Sequence, residues 1–153
     1  MAKVHFFYST MNAGKSTALL QSAHNYHETG NETIIFIPRE DADKKSGLIK
    51  SRIGLSSSAV VIDLEFKIYD YVKKELSQRK VDAILVDEAQ FLKKHHVLQM
   101  CKVCDELQIP VMCYGIRTDF RGELFEGSAS LLALADNLIE LKTVCNECSR
   151  KAT

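Results

Sequence analysis

Short apolar runs that alternate with helix-patterned stretches constrain this chain more than any other feature. Val4-His5-Phe6-Phe7-Tyr8 is the first run, and residues 33–37, 81–86 and 109–114 repeat the pattern. Runs that are apolar almost throughout fit strands covered on both faces, as in a parallel sheet. Between them, a helix is expected from near Gly14 through Leu19, Leu20, Ala23 and Tyr26, stopped by Thr29-Gly30-Asn31. Asp63 predicts an N-cap for a helix carrying Leu64, Ile68, Tyr71, Val72 and Leu76. Residues 93–107 predict a helix with Val97, Met100, Val103, Cys104 and Leu107 inward. Ser128 predicts the cap of a short helix through Ala135. Residues 59–62 and 138–144 complete the strands, and residues 39–58 and 115–127 read as long exposed loops. Strand and helix in alternation give an α/β class with a mostly parallel sheet. In such sheets ligands sit at the C-terminal ends of the strands, here segments 9–16, 87–91 and 115–125.

The 153 residues support one domain with a real core. No run approaches the length of a membrane span, and no secretory signal is visible. With 20 Lys+Arg against 20 Asp+Glu, a nucleic-acid partner is not expected. The five cysteines are odd in number, which argues for a reduced, cytoplasmic setting over a disulfide framework.

Ser9-Thr10-Met11-Asn12-Ala13-Gly14-Lys15-Ser16 follows the first strand and opens the first helix. It fits the phosphate-binding P-loop except that Ser9 replaces the first glycine. Backbone N–H groups at a helix N-terminus cradle phosphates, and Gly14 permits their close approach. Lys15 is expected on the β- and γ-phosphates and Ser16 on Mg2+, with Thr17 beside it. The apolar run ending in Asp87-Glu88-Ala89-Gln90 is the acidic second motif of such an enzyme. Successive side chains on a strand face opposite ways, so Asp87 is expected on the metal and Glu88 as the general base. Together these predict a P-loop NTPase (RecA-like) three-layer fold.

Other signals are weaker. Cys145-x-x-Cys148 has metal-ligand spacing but supplies only half of a zinc site. Cys101-x-x-Cys104 reads as core, and His95-His96 as a wet helix face. Phe91, Phe120 and Phe125 are either core or the lining of an apolar slot for a nucleobase. Arg52, Arg117 and Arg121 are either phosphate or ribose contacts or ordinary surface residues.

Taken in order, Met11-Asn12-Ala13-Gly14-Lys15-Ser16-Thr17, Ser51-Arg52-Ile53-Gly54, Asp87-Glu88-Ala89-Gln90-Phe91, residues 114–122 and Leu141-Lys142-Thr143-Val144-Cys145 resemble the thymidine kinases shared by many bacteria and the mammalian cytosol. The resemblance spans essentially the whole chain. It implies a cytoplasmic homotetramer that uses Mg2+ and ATP to phosphorylate the 5′-hydroxyl of thymidine. It implies ATP contacts from residues 9–17 and 87–90 and Glu88 as the base. It places Phe91, Ile116, Phe120 and Phe125 around the thymine ring and Arg52 on the phosphate side. Lys50 stands where another branch has an acidic residue. Residues 1–144 would be the kinase core. Residues 145–153 would begin a truncated zinc and lasso segment, with Cys145 and Cys148 as its first pair of structural Zn2+ ligands. The alternative is an ATP-binding P-loop module or ATPase fragment without nucleoside kinase activity.

Overall fold

The computed structural model describes residues 2–9, 15–39, 48–50, 56–119, 121–141, 143–144 and 151–152. Six strands form one sheet: β1 (Val4–Ser9), β2 (Thr33–Pro38), β5 (Val60–Ile62), β6 (Ala83–Val86), β7 (Val111–Ile116) and β8 (Asn137–Glu140). Their order is β5-β2-β6-β7-β1-β8, and every pairing is parallel. This is the parallel α/β sheet expected from the apolar runs.

Alternation along the strands divides the core into two halves. Val4, Phe6, Ile34, Phe36, Ile84, Val86, Val111 and Cys113 face one side. There they meet Ile68 and Val72 of α2 (Ile68–Leu76), Val97 and Met100 of α3 (Lys94–Lys102), and Leu131 of α4 (Glu126–Leu134). Ile35, Ile37, Ala83, Leu85 and Tyr114 face the other side, against Leu19, Leu20 and Ala23 of α1 (Lys15–Glu28). Helices on both faces of a central sheet make three layers. Burying an aliphatic or Phe side chain contributes roughly 1.5–3 kcal/mol, so a sheet apolar on both faces demands cover on both.

Several sequence expectations are corrected. The span 39–58 is not simply a loop: β3 (Leu48–Lys50) pairs antiparallel with β4 (Ser56–Ser58). Asp63 does not cap α2, which starts five residues later. Its carboxylate instead accepts from the Glu65 N–H at 3.1 Å, forming a local turn that competes with the helix. The helix expected over 93–107 is α only as far as Lys102, and Val103–Leu107 continues as a π turn. Ser128 lies inside α4 rather than before it, fully buried. β8 ends at Glu140, while β9 (Thr143–Val144) leaves the sheet and pairs with β10 (Lys151–Ala152). Among the described residues, no helix is long and apolar enough to cross a membrane.

His95 and His96 do not form one wet face. His95 is exposed and His96 is buried. The His96 ring accepts from the Lys93 N–H at 3.1 Å and donates to the Asp63 carbonyl at 3.1 Å. It satisfies an orphan donor at the start of α3 and ties that end to the turn before α2.

Candidate active site

The C-terminal ends of β1, β6 and β7 share one edge, with Ser9 level with Ile116 and Val86 level with Cys113. β1 ends at Ser9 and α1 begins at Lys15. Thr10, Met11, Asn12, Ala13 and Gly14 lie outside the described residues, as do the side chains of Lys15 and Ser16. Thr17 sits in the first turn of α1. The hydroxyl of Ser9 is buried and has no hydrogen-bond partner among the described residues. Buried polar groups are nearly always paired, so an orphan at the end of the strand that precedes α1 fits a site for a polar ligand.

Two strands from β1, beyond β7, β6 delivers the acidic pair. The Asp87 N–H still donates to the Phe36 carbonyl at 2.9 Å, so the chain leaves the sheet only after it. Asp87 is fully buried, and one of its carboxylate oxygens accepts from the Glu88 N–H at 3.0 Å. Glu88 then takes a left-handed conformation, φ 51° and ψ 44°, and a 3-10 turn follows over Ala89–Phe91. The Phe91 and Leu92 amides close that turn onto the Glu88 and Ala89 carbonyls at 3.1 Å each. A non-glycine residue in this region is strained, and such strain clusters at functional sites.

Gln90 is 3% exposed and uses both ends of its amide. Its nitrogen donates to a Glu88 carboxylate oxygen at 2.5 Å, and its oxygen accepts from the Ile116 N–H at 3.3 Å. The Ile116 carbonyl in turn accepts from the Ser128 hydroxyl. Phe125, at the N-cap of α4, meets Phe91 edge-on with ring centroids 5.7 Å apart. The structure therefore gathers Glu88, Phe91, Ile116 and Phe125 at one place. Phe120 and Arg52 lie outside the described residues. Arg117 is exposed and packs over the Tyr8 ring at 5.1 Å, while Arg121 pairs with Asp119 and Glu123 in the next turn.

Two glycines missed by sequence reasoning shape this corner. A Cβ at Gly115 would sit 2.6 Å from the Gln90 amide oxygen. A Cβ at Gly127 would sit 2.3 Å from the Ala89 carbonyl oxygen and 2.9 Å from that of Leu92. β7 and α4 thus press against the Glu88–Phe91 turn from two directions. Glycine within a strand and within a helix, where it is otherwise unfavourable, was the available signal.

The buried Asp87 carboxylate and the orphan Ser9 hydroxyl at this edge suit Mg2+, a hard cation that takes oxygen ligands. Zinc has no such support: among the described residues no group of three or more His, Cys, Asp or Glu side chains could hold a metal. Cys145 and Cys148 lie outside them. Cys101, Cys104 and Cys113 are free thiols. Burial pushes all three upward, Cys104 to about 12, so they are poor thiolates; Cys101 and Cys104 pack in the core as expected, and Cys113 joins them.

A parallel sheet whose first strand runs into Gly14-Lys15-Ser16 at a helix entry, with an acidic pair across one intervening strand, defines the P-loop class of α/β proteins. The family model described as "TK: Thymidine kinase" matches residues 2–153. A thymidine kinase of Photorhabdus laumondii is 53% identical over 152 residues, covering 99% of this chain and 75% of that protein. One from Zymomonas mobilis is 51% identical over 153 residues, covering 100% and 79%. One from Escherichia coli K12 is 50% identical over 153 residues, covering 100% and 74%. The chain belongs to the thymidine kinase family.

Proposed function

We propose that this chain transfers the γ-phosphoryl group of ATP to the 5′-hydroxyl of thymidine. The observation that carries the reading is the buried Glu88 carboxylate, held by Gln90 at the C-terminal end of β6, in the turn that also carries Phe91 of the Phe91–Phe125 pair. Family membership supports the substrate.

Phosphoryl transfer of this kind is largely dissociative, so positioning and charge neutralisation supply most of the catalysis. The amides of segment 9–16 and Lys15 hold the β- and γ-phosphates. Ser16 and Asp87 would hold Mg2+, which neutralises charge developing on the phosphates. Ala89 completes the nucleotide side of the acidic motif, and the buried Gln90 amide hydrogen-bonds the Glu88 carboxylate. Phe91, Ile116, Phe120 and Phe125 enclose the thymine ring, and Arg52 faces the phosphates. Glu88 accepts the proton of the 5′-hydroxyl as it attacks. Residues 1–144 form this core, and Cys145 and Cys148 would supply the first half of a structural zinc site. The same reading carries a cytoplasmic homotetramer.

The test is phosphoryl transfer from Mg·ATP to thymidine, with Glu88→Gln beside the parent enzyme. The substitution is expected to lower kcat by about 10²–10⁴-fold and to leave ATP binding intact. An unchanged kcat removes Glu88 from the role of base.

A further inference from the structure

We propose that Gln90 is the positioning residue of this site: its buried amide fixes the Glu88 carboxylate to the end of β7, in a slot held open by Gly115. The proposal rests on the reading of Glu88 as the base and specifies what aims it.

The orientation of the amide follows from its partners. The Ile116 N–H can only donate, so the Gln90 oxygen must face it, and the nitrogen must then face Glu88. Reversing the amide would set oxygen against carboxylate and N–H against N–H, two unpaired contacts in a buried place. One orientation is therefore enforced, and with it one position of the carboxylate.

The backbone makes such a restraint necessary. Glu88 sits at a left-handed turn just beyond the last sheet hydrogen bond, so strand pleating does not direct its side chain. Gln90, two residues on, returns across the 3-10 turn to supply the hold. The other anchor is itself clamped. Ile116 gives its N–H to Gln90 and its carbonyl to the buried Ser128 hydroxyl, so Ser128, Ile116, Gln90 and Glu88 form one hydrogen-bonded chain from α4 to the carboxylate. Phe125 stands at the start of the same helix. The ring that faces the nucleoside base and the group that faces its hydroxyl are thus registered through Gln90. Gly115 explains itself in the same terms, since any Cβ there would strike the amide oxygen.

A double-substitution cycle tests this. Gln90→Leu, which removes donor and acceptor together, is expected to lower kcat by about 10–100-fold, as misplacement of a reacting group by an ångström does. KM for ATP should stay within about twofold, since the residue acts through Glu88. In the Glu88→Gln background, Gln90→Leu should cost no further rate, because there is no base left to aim. Gln90→Met keeps nearly the same volume but loses both donor and acceptor. It should fold and still be slow, which covers the case of a Leu variant that fails to fold. Losses that multiply in the double variant, a raised KM for ATP with kcat intact, or a folded Gln90 variant at full kcat would each overturn the proposal. Glu88→Gln at full rate would overturn the underlying assignment instead, and the proposal with it.

Discussion

Glu88 stands just past the last sheet hydrogen bond of β6, with its backbone in the left-handed region. The sequence named both carboxylates because an apolar run ending in Asp-Glu is conspicuous. Strand alternation, however, was applied one residue too far. The sheet lets go after Asp87, whose carboxylate caps the next amide, and Glu88 is directed by a left-handed backbone rather than by a pleat. Strain of this kind leaves a mark on stability. Glycine adopts the left-handed region freely, whereas alanine pays about 1–2 kcal/mol there. Both Glu88→Gly and Glu88→Ala remove the carboxylate, so they differ mainly in backbone fit. Urea denaturation should find the glycine variant more stable by about 1 kcal/mol or more, and equal midpoints would mean that the left-handed turn carries no strain. His96 was misread for a related reason. Two adjacent histidines on a helix suggest solvent, but one of them reaches back to cap the helix and to hold the Asp63 turn.

At the scale of elements, the errors fell on residues with two competing uses. Asp63 and Ser128 are both good N-caps by type. Asp63 instead builds its own turn, and Ser128 spends its hydroxyl on the Ile116 carbonyl. Local pattern cannot rank a cap against a tertiary bond that closes only after folding. The stretch after β7 is likewise more ordered than a loop. Thr118 bridges to Leu124, and the Asp119 carboxylate accepts from the Arg121 and Glu123 N–H groups at 2.8 and 3.1 Å. Burial alone would raise the Asp119 carboxyl, but the Glu123 and Arg121 amides and the Arg121 guanidinium outweigh it and hold the group below its ordinary 3.8. A depressed carboxyl stabilises the fold above its unfolded value and loses that contribution as pH falls through the folded one. The stability difference between parent and Asp119→Asn should therefore favour the parent near neutrality and shrink as pH drops below about 4. Denaturation midpoints across that range check it, and a difference that grows on acidification would contradict the assignment.

Across the whole molecule, the sheet was legible as a class but not as an order. Continuous apolar runs announced parallel strands buried on both faces, and the two half-cores bear that out. That β7 inserts between β6 and β1 is not written in any local pattern. Nor was the β3–β4 pairing, since Ser56-Ser57-Ser58 has no β-branched or aromatic residue to mark a strand. The order has a measurable signature. β6 and β7 lie inside the sheet, and β6 is buried along its length, whereas β5 and β8 are edges and β8 exposes Leu138 and Ile139. Amide exchange should be slowest in β6 and β7, limited by global unfolding, and faster in β5 and β8. Uniform protection across all six strands would speak against that ranking.

The same strand order bears on how the chain is made. Val4 of β1 pairs with Val111, and His5 pairs with Asn137, so both neighbours of β1 are encoded more than a hundred residues downstream. At a synthesis rate of about 5–20 residues per second, the nascent strand waits roughly 5–20 s for its first partner. Throughout that interval an apolar segment leading into the phosphate-binding motif has no sheet to join. The ribosome surface or a chaperone must shield it, and slow stretches of the message placed before β7 would prolong its exposure to aggregation.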